Sequence, residues 1–505
     1  MKSTLDLLLI NPGSRMEIYQ VLGNELSAIE PPVWAGLLAS FVRQRGFSVG
    51  ILDAEAEDLT PSQVATRVSE AKPLLTAVVV YGHQPSASTQ NMAAASVTCT
   101  EIKKQSPDQK LMLLGGHVAA LPKQTLREES VDFICGGEGP YTLLEILQEL
   151  KTQNPDYHKV RGLWFRDPEG RVVNTPAAPL VQKLDEEMPG VAWDLLPMEK
   201  YRAHNWHCFD GLQRKPYAAI YTTLGCPYRC TFCCIQAPFK DGEKVLGMKE
   251  DINSYRYWSP KAVIAQIDIL VKKYGVRNIK FADEMFVLSP RHIEGICDLI
   301  IEKGYDLNIW AYARIDTVQP RLVGKLKKAG FNWLAFGIES ANERVRGDVD
   351  KRFEQEEIFE TVERVKAAGI HVIGNFIFGL PEDDFESMQA TLGLALKLNC
   401  EFANFYSAMA YPGSALYEMA VKENWSLPEK WSGYSQHSFE TLPLPTKYLK
   451  ASEVLAFRDK AFHIYFSDPR YLNLIRDKFG EKTVEHIKEM TRHKLRRKNV
   501  EFAAA

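Results

Sequence analysis

The sequence predicts an α/β chain in three parts: an N-terminal doubly wound (Rossmann-like) sheet, a partial (β/α)6 TIM-like barrel, and a helical C-terminal region. Three observations predict it. Short β-rich runs alternate with 3.6-periodic segments across residues 1–155. The alternation lapses into a Pro-marked linker over 156–215, then resumes over 216–430. The last stretch, 431–505, keeps helical periodicity without strands.

In the first series, "LDLLLINP" (5–12) reads as a buried strand stopped by "NPGS". "PPVWAGLLASFVRQRGF" (31–47) reads as a helix that opens on Pro and closes at Gly46. "SVGILDAEAED", "LTAVVVYGHQPSAS", "KLMLLGGHVAALPKQTL" and "VDFICGGEGPYTLLEILQEL" repeat the strand, loop and helix unit. Ligands of such sheets lie beyond the carboxyl ends of the strands. The loops there are "NPGS", "GHQPSAS", "GGHVAALP" and "GGEGP", whose glycines let backbone approach a large ligand closely. Gly115, Gly116, His117, Gly137 and Glu138 are the candidate contacts. The plainer reading is that each Gly pair makes a turn and that His83 and His117 bond within their loops. No G-x-G-x-x-G follows the first strand, which disfavours NAD and FAD.

The second series has six strands: "YAAIYTTLGCPYRC" (217–230), "VRNIKFADEMF" (276–286), "LNIWAYARID" (307–316), "WLAFGIESAN" (333–342), "HVIGNFIFGLPED" (371–383) and "FANFYSAMAYPGS" (402–414). Their polar residues gather at the C-terminal ends, where barrels of this type carry function: Asp283, Glu284, Arg314, Asp316, Glu339, Asn375 and Tyr411.

Composition narrows the class. The 505 residues are 45% hydrophobic and 25% charged with a net charge of −3, which gives no global electrostatic case for nucleic acid. The N-terminal apolar run is too short for a signal segment or a membrane span, so a cytoplasmic, reducing location is expected. Nine cysteines need not pair there.

Four of the nine crowd into "LGCPYRCTFCCIQAPFK" (224–240). Cys226, Cys230 and Cys233 are spaced C-x3-C-x2-C, and three thiolates on one tight loop suit three irons of a cubane cluster. The fourth iron is then open to a substrate or cofactor. Tyr228 and Phe232 suit a cover over it, and Cys234 suits a packed thiol. The competing reading is a zinc knot completed by His204, His207 and Cys208 of "HNWHC".

With these strands behind it, the C-x3-C-x2-C loop resembles the radical S-adenosylmethionine superfamily. The sheet with "GGHVAALP" and "GGEGP", and the linker "LDEEMPGVAWDLLPMEKY", are similar to its cobalamin-dependent branch, the class B methylases. The resemblance covers roughly residues 5–430. It implies that Cys226, Cys230 and Cys233 hold a [4Fe–4S] cluster whose open iron chelates S-adenosylmethionine. It puts Asp283 and Glu284 of "FADEMF" at the amino end of that cofactor, and Glu339 of "GIES" at its ribose or methionine part. "IGNFIFGLPED", with Asn375, would line the adenosine, and Arg314 would clamp an anion or pair with Asp316. Cobalamin would lie on the sheet loops. The D-x-H-x-x-G motif that supplies a lower cobalt ligand is absent, since "DYHKVRG" (156–162) has the wrong spacing.

The resemblance further implies a one-electron donor, such as flavodoxin or ferredoxin, and a small-molecule substrate. The expected reaction is methylation of an unactivated carbon, or of phosphorus, through a 5′-deoxyadenosyl radical and methylcobalamin. A non-methylating rearrangement, ring contraction or cyclisation is the alternative, and a zinc-stabilised binding module the third. Tyr434, His437 and Phe439 are candidates to line the substrate pocket, against ordinary packing. "HKLRRK" (493–498) reads as a solvated charge run.

Overall fold

The structure is a computed structural model that describes residues 5–13, 20 and 27–501. The loop after the first strand continues from Ser14 outside the described residues. Strands β1 (Leu7–Asn11), β2 (Val49–Asp53), β3 (Leu75–Val79), β4 (Leu111–Leu114) and β5 (Phe133–Cys135) pair in parallel in the order β2-β1-β3-β4-β5. Order reverses at β1, as in doubly wound sheets. β1, β3, β4 and β5 are buried at every position, as strands covered on both faces must be.

The short β-like pieces of the linker form strands. β6 (Leu163–Arg166) and β7 (Val172–Asn174) form an antiparallel hairpin that extends the sheet to seven strands. The turn "DPEG" between β-rich runs carried that signal. The later linker residues Leu180, Leu184, Met188, Trp193, Tyr201 and Trp206 are buried in one apolar core shared by the sheet and the barrel. The opposite face of the sheet has a core of its own, built on Ile10, Val78, Met92 and Leu113.

The barrel strands are β8 (Tyr217–Ile220), β11 (Asn278–Phe281), β12 (Asn308–Ala313), β13 (Phe331–Glu339), β14 (His371–Phe378) and β15 (Phe402–Ser407), all parallel and in sequence order. β9 (Thr223–Gly225) and β10 (Tyr255–Tyr257) make a small antiparallel ribbon. The expected first strand therefore breaks at Tyr221–Thr222 before reaching the cysteines. Helices Ala451–Ser467, Pro469–Phe479 and Glu481–Arg492 cover β15 and its neighbours. Among the described residues no helix is long and apolar enough to cross a membrane.

Two buried ion pairs join sheet and barrel. Arg256 of β10 donates to Glu138 at 2.8 Å. Lys280 of β11 meets Glu30 at 3.0 Å, and Glu30 also accepts from Tyr217 and lies 3.0 Å from His83. His83 thus bonds outside its own loop, with its Nε2 2.8 Å from Pro31 O.

Candidate active site

The cysteine loop is positioned by its backbone. Gly225 has φ +84°, and a Cβ there would lie 2.3 Å from Ser254 O, so only glycine brings the chain past β10 into Cys226. Gln236 Oε1 accepts the Cys226 N–H at 3.1 Å, and Asn253 Nδ2 donates to the carbonyls of Cys226 (3.1 Å) and Tyr228 (2.7 Å). Thr231 is pinned through Val349 O and Leu416 N. The result is three thiols facing one cavity of about 260 Å³.

Upstream, Asp283 seats the whole turn. Its Oδ1 accepts the N–H groups of Thr222 (2.6 Å) and Thr223 (2.7 Å), and its Oδ2 accepts the Thr222 hydroxyl (2.6 Å). It is fully buried, and burial pushes its pKa up to about 6 against those donors. This corrects its expected role: Asp283 holds backbone and does not face the cavity. Glu284, the next residue, does line the cavity, and burial pushes it up to about 8.

The other strand ends converge on the same space. Glu339 ends β13 with φ +64° and pairs with Lys351, both side chains 7% exposed. Arg314 chelates Asp316 through Nε (3.0 Å) and Nη2 (3.1 Å) and lies 3.8 Å over the Tyr228 ring. Its Nη1 reaches Cys230 Sγ at 3.7 Å. Asn375 donates to Phe336 O and accepts from Asn404. Glu284, Glu339, Arg314 and Asn375 therefore share one cavity with Cys226, Cys230 and Cys233. Cys234 is buried, between this cavity and the gap to the sheet domain.

The donor set fits an iron–sulfur cluster. Burial pushes the Cys226 thiol up to about 12 and Cys233 well above its ordinary value, so thiolates need added positive charge, which irons supply. The zinc reading fails on position. Cys208 Sγ lies 3.7 Å from Asn278 Oδ1 and His207 Nε2 3.1 Å from Asn308 O, at the N-terminal ends of β11 and β12, opposite the cysteine loop. Because an N–H donated to a cluster thiolate raises its potential, Arg314→Gln is expected to lower the midpoint potential. Redox titration of the reconstituted protein checks this.

The sheet loops correct several expectations. His117 is 2% exposed, with Nδ1 3.2 Å from Thr89 Oγ1 and its ring edge-on to Trp431 at 4.5 Å. Burial pushes it down to about 3, so it is a packed, neutral imidazole rather than a ligand contact. Glu138 is consumed by Arg256 and the Val181 N–H (3.0 Å). Gly115 has φ +155°, with Val80 backbone 2.7 Å from any Cβ, so it serves the passage of β3. Gly116 and Gly137 do present bare backbone to the barrel: a Cβ on either meets nothing closer than 3.6 Å and 3.9 Å. That surface suits the edge of a large planar ligand. The gap that Gly116 borders, walled by Tyr81, Leu224, Cys234 and Phe239, is about 30 Å³. Gly116→Leu fills this gap and is expected to abolish cobalamin uptake while sparing iron. Cobalamin absorbance and iron content, measured on one sample, check it.

Comparison with known proteins agrees with this geometry. Residues 220–395 match the family model of the radical SAM superfamily, and 19–147 that of the B12 binding domain. An uncharacterised methyltransferase of Pyrococcus horikoshii is 30% identical over 93% of this chain and 94% of its own. The anaerobic magnesium-protoporphyrin IX monomethyl ester cyclase of Rubrivivax gelatinosus is 26% identical over 82% of this chain and 69% of its own. The radical S-adenosylmethionine methyltransferase TsrM of Kitasatospora setae, solved with cobalamin and a [4Fe–4S] cluster, superposes with a TM-score of 0.65 at 16% identity over 93% and 90% of the two chains. The chain belongs to the radical S-adenosylmethionine superfamily, in its cobalamin-dependent branch. Its cofactors are those of that branch: a [4Fe–4S] cluster, S-adenosylmethionine and cobalamin.

Sequence reasoning missed other site residues. His437 does line the large cavity below the site, but Tyr434 and Phe439 face a separate groove. "HKLRRK" is solvated at His493, Lys494, Arg496 and Lys498 but not at Arg497. Arg497 is 4% exposed and bonds Gln436, Ser438, Thr441 and Asp459, while His493 and Lys494 line the cavity mouth.

Proposed function

We propose that the chain is a radical S-adenosylmethionine, cobalamin-dependent methyltransferase acting on an unactivated carbon, or phosphorus, of a small molecule. One observation carries the reading: three cysteine thiols share a cavity with Glu284, Glu339, Arg314 and Asn375 at the C-terminal mouth of a parallel barrel, roofed by Gln84, Pro85 and Ser86 of the sheet domain. Bound there, the three cofactors supply a carbon-centred radical and a transferable methyl group.

The chain's own work is positioning and exclusion of water. Cys226, Cys230 and Cys233 hold iron at three corners. Glu339 offers a carboxylate to an ammonium or to hydroxyls, and an arriving ammonium would restore on Glu284 the charge that burial suppresses. Lys351 keeps Glu339 from swinging away, and the Asn404–Asn375–Phe336 amide chain fixes one face of the cavity. Phe232, Ile377 and Ala408 pack an apolar wall beside the thiols, which limits quenching by solvent. Reducing equivalents come from a one-electron donor such as flavodoxin or ferredoxin, reached from the half-exposed Cys230 side.

A cyclisation without methyl transfer is the second reading, favoured by the name of the Rubrivivax relative. Turnover with methyl-labelled S-adenosylmethionine separates the two. Label in the product supports methyl transfer, and consumption of substrate without label supports cyclisation.

A further inference from the structure

A second cavity of about 470 Å³ runs along the inner face of β12–β15 and ends between the C-terminal helices. Tyr312, Asn375, Tyr406 and Tyr411 line both this cavity and the cysteine cavity, so the two adjoin across these side chains. Its walls are aromatic: Trp206 meets Trp310 edge-on at 5.2 Å and stacks on Phe402 at 5.9 Å, with Tyr312 and Phe462 beyond. Flat rings of this kind receive a planar apolar body.

The charges at its far end are unbalanced. Arg458 and Arg497 are 5% and 4% exposed, and both pair with the single carboxylate of Asp459. Asp459 is the one carboxylate among the described residues lining the cavity, whereas Lys460 and Lys494 stand with Arg458 on the cationic side. The triad carries a net positive charge in a place shielded from water, a state that costs free energy unless an anion joins it. Arg458 has the means to receive one. Its Nε donates to Phe405 O (2.7 Å) and its Nη1 to Asp459 (2.8 Å), while Nη2 makes no hydrogen bond among the described residues.

We propose that this cavity is the substrate chamber, and that it takes a molecule with a planar, aromatic-like body and an anionic group, carboxylate or phosphate, held by Arg458. The body lies against the wall that Trp206, Trp310 and Phe402 present to the cavity, and its leading edge passes Asn375 toward the thiols. Lys460 and Lys494 at the mouth draw the anion in. The proposal rests on the barrel being the reaction chamber of a radical enzyme.

The test is isothermal titration of the reconstituted full chain with three probes: 2-naphthoate, 2-naphthyl phosphate and 2-naphthylmethylammonium. The wild type is expected to bind at least one anion and not the ammonium, and whichever anion binds more tightly names the source. Arg458→Gln is expected to weaken the anion at least about tenfold, with Arg458→Lys recovering part of the loss. Should Arg458→Gln fail to fold, Lys494→Gln carries the test through weaker anion binding with a shallower salt dependence. Binding of neither anion to the wild type, equal binding of the ammonium, or unchanged anion binding in the variant that folds overturns the proposal. Probe binding needs no turnover, so a failure of methyl transfer sinks the functional reading and leaves this one standing.

Discussion

With Cys230 replaced by alanine, the anaerobically reconstituted protein is expected to retain less than one iron per chain, against about four in the wild type, and to cleave no S-adenosylmethionine. A cluster bound at three corners has no spare ligand, so losing one thiolate leaves two, which do not hold a cubane. The fold should survive. Cys230 is half-buried, and among the described residues its hydrogen bonds are the 3.7 Å approach of Arg314 and a weak one to Asp350 O at 3.9 Å, so its removal costs stability little. Cys234→Ala is the matched control. That thiol lies four residues on, buried and outside the C-x3-C-x2-C spacing, and its removal should leave the iron count unchanged. Iron and sulfide analysis of both variants, beside circular dichroism, checks the pair. Equal iron in the two variants would mean that the loop does not bind iron through the assigned thiols.

Asp283→Ala is expected to be the most damaging single change outside the cysteines. Removing the carboxylate strands the buried N–H groups of Thr222 and Thr223 and the Thr222 hydroxyl, each worth about 1–3 kcal/mol when left unmade. A loss of about 3–5 kcal/mol follows, and the chain between β8 and β9 loses the anchor that aims it at Cys226. Both the unfolding midpoint and the iron content should fall. The isosteric Asp283→Asn supplies a pH signature. Burial raises the folded pKa of Asp283 to about 6 from an ordinary value near 3.8, so between those values the folded state holds the proton more tightly than the unfolded chain. Stability from this group is therefore present below about pH 4 and lost as pH rises toward 6, by about 3 kcal/mol. The Asn variant should lack that decline. Chemical denaturation of both proteins from pH 4 to pH 7 measures the difference, and parallel curves would show that Asp283 does not titrate as its burial requires.

The architecture was legible because periodicity reports burial. Each barrel strand shows in the sequence as an apolar run ending in a polar residue, and the structure keeps all six in sequence order. The cysteine loop was legible for a different reason: thiolate spacing is dictated by the metal rather than by the fold. What failed was the direction in which polar side chains point. Asp283 and Glu284 are neighbours just past the end of β11, where no strand alternation fixes side-chain direction, and one turns to the backbone while the other lines the cavity. Glu138 and His117 sit in glycine loops that suit a ligand, but Arg256 lies 118 residues from Glu138 in sequence, and Trp431 reaches His117 from the C-terminal region. Such pairings follow from packing between distant segments. Arg497 is the plainest case, since a basic tail reads as solvated until Asp459 and three hydrogen-bonding residues close around it.

The central claim is that three thiols hold iron with one corner left for S-adenosylmethionine. Electron paramagnetic resonance of the dithionite-reduced, anaerobically reconstituted chain tests it most directly, with spectra taken before and after adding S-adenosylmethionine. The account predicts a reduced-cluster signal whose shape changes when the cofactor coordinates the open iron. A signal that stays the same on addition, or protein that carries zinc and no iron, would contradict it.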